Sequence, residues 1–187
     1  MLFSLLDDED SFEWRRKPTE PYRRPRAVLW LPKQALDVTI STLRKYRHLE
    51  AACFWYGLRD EAENEFVKAV IAPFQLNRWG SYHIPSTSIS AISAATRTRG
   101  WVCLAQVHSH PGAFVEHSRY DDENAGSQRI LSVVIPKYGR WRRRWPNGVG
   151  VHECQNAYWH KLSDSDAALR IQIEPSRNSM TFIDQRK

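Results

Sequence analysis

The chain has 187 residues, 42% of them hydrophobic and 26% charged, with a formal net charge of +6. That length and balance fit one globular domain with its own core and exclude a disordered chain. No apolar run approaches the length of a membrane span, and the acidic first residues lack the layout of a secretory signal, so a cytoplasmic protein is expected.

In chain order, residues 1–26 read as a charged extension and 27–187 as one domain. Five acidic groups fall in residues 1–13 and six basic ones in residues 15–26, where Pro18, Pro21 and Pro25 also lie. Such blocks have little to bury and are the kind that order on a partner. Residues 27–31 form a short apolar run, hence a strand, and Pro32 suits the first turn of a helix. Leu36, Ile40 and Leu43 continue at helical spacing and predict an amphipathic helix over 33–47. Buried-type strands are expected at 51–58 and 66–74. Ser86, Thr87 and Ser88 offer N-caps to a second helix carrying Ile89 and Ile92, with Gly100 as its stop. A strand over 101–107 runs into His108, a short helix covers 118–129, and further strands are expected at 131–135, 150–153 and 169–173. Two substantial helices beside a mixed sheet make an α+β sandwich.

Cys53, Cys103 and Cys154 are odd in number and far apart, so no disulfide framework is implied. Cys53 and Cys103 sit in apolar surroundings as small buried filler. Cys154, two residues after His152, is half a metal site whose other half is missing. Lys137, Arg140, Arg142, Arg143 and Arg144 interleave with Tyr138, Trp141 and Trp145. Arginines among aromatics are one mark of nucleic-acid binding. With no nucleic-acid motif beside them, a solvated loop or a docking surface for an acidic protein is the favoured reading.

The richest chemistry lies between His108 and Asp121. His108 and His110 are two apart at a strand end, where alternating side chains share a face and aim two imidazoles at one ion. Pro111 ends the strand and Gly112 permits a sharp exit. The first turn of the next helix then brings Asp121 as an anionic third ligand. Two histidines and a carboxylate leave a fourth position for water, the arrangement of a catalytic zinc rather than a structural one. Competing readings stand beside this one. An isolated HxH is commonly incidental, and Ser118-x-x-Asp121 resembles a helix capping box. Both hold together if the cap fixes the turn that aims Ser118 and Asp121. His117 is expected to be exposed or to contact substrate, and Asp122, about 100° round the helix from Asp121, to be a surface charge.

HxHP, six residues, then SxxD resembles the JAMM signature of the JAB/MPN metallopeptidases, carried here by His108, His110, Pro111, Ser118 and Asp121. That family also has an upstream glutamate in a segment like E-x6-G. Glu50 to Gly57 fits it in place and spacing, departing at Cys53, where many members have glycine. The resemblance covers most of 27–160 and implies a JAB/MPN-like, cytidine-deaminase-like sandwich. It implies that His108, His110 and Asp121 bind Zn2+, that Glu50 is the general base and later acid, and that Ser118 donates to the oxyanion. From spacing alone, a solvated acid at a helix end is the favoured reading of Glu50.

The resemblance further implies amide hydrolysis at the C-terminus of a ubiquitin-like protein, bound as an added strand. Residues 135–140 are then either a contact for the ubiquitin-like body or an ordinary loop. The compact size and the run Leu131 to Pro136 look most like the small prokaryotic branch. That branch implies E1-like and E2-like partners and a setting such as antiphage defence. The alternatives are a non-catalytic MPN-like scaffold, a zinc-bearing nucleic-acid binder, and a JAMM peptidase acting on a small peptide or sulfur-carrier conjugate.

Overall fold

The computed structural model describes residues 17–124, 127–175 and 180–186, so residues 1–16 of the charged extension lie outside it. Eleven strands and four helices follow one another as β1 (Leu29–Pro32), α1 (Lys33–Arg44), β2 (Ala52–Arg59), β3 (Glu65–Ala72), β4 (Leu76–Arg78), β5 (Ser81–His83), α2 (Ser86–Arg97), β6 (Val102–Ser109), α3 (Arg119–Asn124), β7 (Leu131–Ile135), β8 (Gly150–Gln155), β9 (Tyr158–Lys161), α4 (Asp164–Arg170), β10 (Ile171–Glu174) and β11 (Thr181–Asp184). Nine strands form one mixed sheet in the order β10-β1-β3-β2-β6-β7-β8-β9, and β11 pairs with β3. β4 and β5 make a separate hairpin. Of the described helices, none is long and apolar enough to cross a membrane.

Alternation along β2 divides the core between two faces. Cys53 and Trp55 join Leu36 and Leu43 of α1 in one buried cluster, while Phe54 joins Ile71 and Ile92 of α2 in the other. The sheet is therefore sandwiched between the two long helices, as the α+β expectation requires. Thr39 is buried in α1 because its hydroxyl accepts the Trp55 indole N–H at 2.8 Å. Gly57 sits where the β2–β3 register shifts, and a Cβ there would lie 1.9 Å from the Phe66 carbonyl oxygen. The glycine of the E-x6-G segment is thus demanded by close backbone approach at a bulge.

Several local expectations change. Pro32 closes β1 and stands at the N-cap of α1, one residue before its first turn. No side chain caps α2: the Pro85 carbonyl accepts the Ser88 and Ile89 N–H groups, and Ser90 Oγ bonds back to the Ser86 carbonyl. Helix α3 is shorter than 118–129. Beyond it, Ser127 Oγ takes the Arg129 N–H in a local turn, the usual competition of a serine with helix. The stretch 169–173 is split, because Ser163 caps α4 by accepting the Asp166 N–H and the helix runs to Arg170 before β10 begins. Strands β9 and β11 and the β4–β5 hairpin were not read from the sequence. Part of the extension is tied down: Tyr22 Oη donates to Glu153 Oε2 at 2.6 Å, and Arg23 exchanges two hydrogen bonds with the Gln155 side chain.

Candidate metal centre

The parallel pairing of β6 with β7 sets His108 opposite Val134 in the sheet centre, where it is 1% exposed. His110 lies just past the strand end, its N–H on the Ile135 carbonyl and its own carbonyl accepting the Tyr138 N–H. The two Nε2 atoms stand 3.1 Å apart. Asp121, on the first turn of α3, places Oδ1 3.2 Å from His108 Nε2 and Oδ2 3.2 Å from His110 Nε2. Among the described residues this trio is the one cluster of histidine, cysteine and acid side chains whose ligand atoms converge within 4.8 Å.

The donor set fits a small divalent ion. In a tetrahedron with bonds of roughly 2.0–2.1 Å, ligand atoms stand about 3.3 Å apart, close to the spacing here. Two Nε2 atoms in contact cannot both carry hydrogen. His110 Nδ1 faces the Phe114 carbonyl at 3.3 Å, which places its proton on that side and leaves the Nε2 lone pair aimed at the trio's centre. His108 Nδ1 is buried and meets no hydrogen-bonding partner among the described residues. Burial would raise the Asp121 carboxyl, but the His108 and His110 imidazoles beside it hold it well below the usual carboxylate range. Burial pushes His108 down. At His110 the hydrogen bond and charge of Asp121, with Glu50 adding, outweigh burial and raise it. A buried carboxylate held ionised against two nitrogens is what a cation needs.

The capping box and the ligand turn out to be one device. Ser118 Oγ accepts the Asp121 N–H at 3.2 Å, while Asp121 Oδ2 accepts the Ser118 N–H at 2.8 Å and its hydroxyl at 2.7 Å. The reciprocal cap therefore orients the carboxylate oxygen that faces His110. Glu50 reaches the site through the sheet. Ala52 pairs with His108 across β2 and β6, and the Ala51 carbonyl accepts the Ser109 N–H, so the register sets Glu50 beside His110. Asn77 Nδ2 and the Arg78 carbonyl hold the Glu50 backbone, and its side chain is buried at 6% exposure rather than solvated.

His117 and Asp122 are corrections. His117 is fully buried, with Nδ1 2.8 Å from Asp122 Oδ1 and Nε2 2.7 Å from Ser132 Oγ. Its ring stacks on His152 at 3.9 Å and meets Trp159 edge-on at 5.3 Å. Asp122 is therefore spent inward, tying α3 through His117 to β7. The sequence held a faint signal, a histidine and an aspartate flanking SxxD, but Ser132 comes from the next strand and has no spacing rule. Burial raises the Cys53 and Cys103 thiols to about 12; Cys53 is buried filler as expected, whereas Cys103 is only half-buried and lines the cleft that opens beside Asp121. That cleft, of about 310 Å³, is also lined by Phe54, Tyr82, Ile84, Ile89, Tyr120 and Ile130.

Fold and site define an α+β protein with a three-residue cluster able to hold a metal ion, beside a cleft that Asp121 lines. Residues 32–147 match the family described as prokaryotic homologs of the JAB domain, and the chain belongs to that family. A curated relative, the probable metalloprotease y4jG of Sinorhizobium fredii (strain NBRC 101917 / NGR234), is 24% identical over 150 residues, which cover 76% of this chain and 92% of the relative. The solution structure of protein DSY2949 from Desulfitobacterium hafniense shares the fold, with a TM-score of 0.63 and 17% identity. That match covers 80% of this chain and 94% of the other.

Proposed function

We propose that this protein is a zinc-dependent isopeptidase that hydrolyses the amide bond after the C-terminus of a ubiquitin-like protein. The observation that carries the reading is the convergence of His108, His110 and Asp121, with 3.1–3.2 Å between facing ligand atoms, in a chain of the JAB family. The metalloprotease relative supports the peptidase class.

His108, His110 and Asp121 hold the ion. When bound, it supplies a Lewis acid that polarises the scissile carbonyl and acidifies water to a pKa of about 7. Glu50 takes the proton of the attacking water and returns one to the leaving amine. Its burial, and the charge it exerts on His110, support that role. Ser118 donates its hydroxyl to the developing oxyanion, for which the hydroxyl turns from Asp121 to the substrate. The cleft beside the site receives the extended tail of the ubiquitin-like protein. E1-like and E2-like enzymes of the same conjugation system, as in antiphage defence, supply the conjugates.

The test is cleavage of a ubiquitin-like protein carrying a C-terminal extension. Chelator is expected to abolish cleavage and added zinc to restore it, while Asp121→Asn loses both bound metal and activity. Cleavage that ignores chelator overturns the zinc reading, and full activity in Glu50→Ala overturns the base assignment.

A further inference from the structure

The basic stretch after β7 is a sequence feature that the metal centre leaves unused. Lys137 and Tyr138 both hold left-handed backbone, at φ 55° and 52°, although neither is glycine. That turn is pinned to the site: the Lys137 N–H binds the Gly112 carbonyl and the Tyr138 N–H binds the His110 carbonyl. Tyr138 Oη donates to the Trp79 carbonyl at 3.0 Å. The chain then turns its aromatics inward. Trp141 and Trp145 pack against the main core, their indole N–H groups on the Asn147 and Ile171 carbonyls. What remains outside is charge: Lys137, Arg140, Arg142, Arg143 and Arg144 are all exposed. Among the described residues none of the five lies in an ion pair with a carboxylate.

Four of these cations, Lys137, Arg140, Arg142 and Arg143, rim a cleft of about 240 Å³ whose lining also includes Ala113, Pro136 and Trp141. Ala113 is three residues past His110, so the cleft opens on the loop that leaves the metal centre. We propose that this cleft is an exosite for an acidic stretch of polypeptide on the substrate. Like charges crowded without counter-ions repel one another, and an acidic partner relieves that repulsion. The apolar floor suits a peptide's side chains. Of the aromatics in this stretch Trp141 alone lines the cleft, while Tyr138 is buried and Trp145 packs on the core, so no row of ring faces stands ready for successive stacked bases, which weighs against single-stranded nucleic acid. The exosite rests on the peptidase reading only in assigning the acidic stretch to the substrate.

Binding of a short fluorescein-labelled Asp/Glu-rich peptide to the full chain, read by anisotropy, tests it without catalysis. Wild type and Asp121→Asn are expected to bind alike, so a failure of the zinc mechanism leaves this readout intact. Joint Arg140→Glu, Arg142→Glu and Arg143→Glu substitution is expected to weaken binding by roughly tenfold or more, and added salt to weaken it as well. Arg97→Glu, on exposed α2, is expected to change nothing, and thermal melts establish that every variant is folded. Equal binding of a neutral peptide, or no effect of the triple reversal, overturns the proposal. A DNA oligonucleotide that binds tighter than the acidic peptide and is lost in the triple variant overturns it in favour of nucleic acid.

Discussion

Replacing His117 with phenylalanine keeps a ring against His152 and Trp159 but deletes both nitrogen contacts. The Ser132 hydroxyl loses its imidazole partner in a buried position, at about 1–3 kcal/mol, and Asp122 loses a charge-assisted bond of about 1.5–3 kcal/mol. Together they amount to roughly 2.5–6 kcal/mol, a large part of the 5–15 kcal/mol that holds a typical domain folded. At about 2–4 °C per kcal/mol for a chain of this size, the melting temperature is expected to fall by roughly 10 °C. The damage also reaches the metal. Asp122 is chain neighbour to Asp121, so freeing α3 from β7 loosens the carboxylate ligand, and zinc affinity by chelator competition is expected to drop about 10–100-fold. Ser132→Ala removes the same contact from its other end, so the two substitutions together are expected to cost less than their sum. A melting shift under about 3 °C with unchanged zinc affinity, or full additivity with Ser132→Ala, refutes the argument that His117 braces the ligand helix.

Two further outcomes follow from the same region. At Gly150 a Cβ would stand 2.1 Å from the Val115 carbonyl oxygen, so Gly150→Ala must displace the loop carrying Glu116 and His117. A loss of about 1–3 kcal/mol in urea unfolding is expected, and wild-type stability in this variant would contradict it. Glu116 is half-buried, and although burial would raise its carboxyl, His152 and Lys161 hold it down at about 2. Because its folded value is depressed, its stabilising effect is present above the unfolded value near 4.5 and fades as pH falls toward 2. The stability gap between wild type and Glu116→Gln is therefore expected to narrow from pH 6 to pH 3, and a gap that stays constant would count against the pairing.

What the sequence determined by itself was local. A strand directs residues two apart to one face, and a capping box turns a carboxylate back on its own helix start, so His108, His110 and Asp121 were legible as a candidate metal cluster from spacing, with Ser118 as the cap. The helix–strand alternation that sandwiches the sheet was legible for the same reason, since burial leaves a period in the apolar residues. Tertiary structure decided everything that depends on which strands are neighbours. Glu50 had only a family spacing until the β2–β6 register set it beside His110. His117 and Asp122 read as surface groups because Ser132, the partner that draws His117 inward and Asp122 after it, belongs to a strand reached only after α3. The tryptophans among the arginines pointed two ways until the fold packed Trp145 on the core with its indole N–H on the Ile171 carbonyl, set Trp141 half-buried at the cleft, and left the charge outside. Sequence spacing encodes the direction of a side chain, but its partners are set by sheet order and register, which no short window of residues contains.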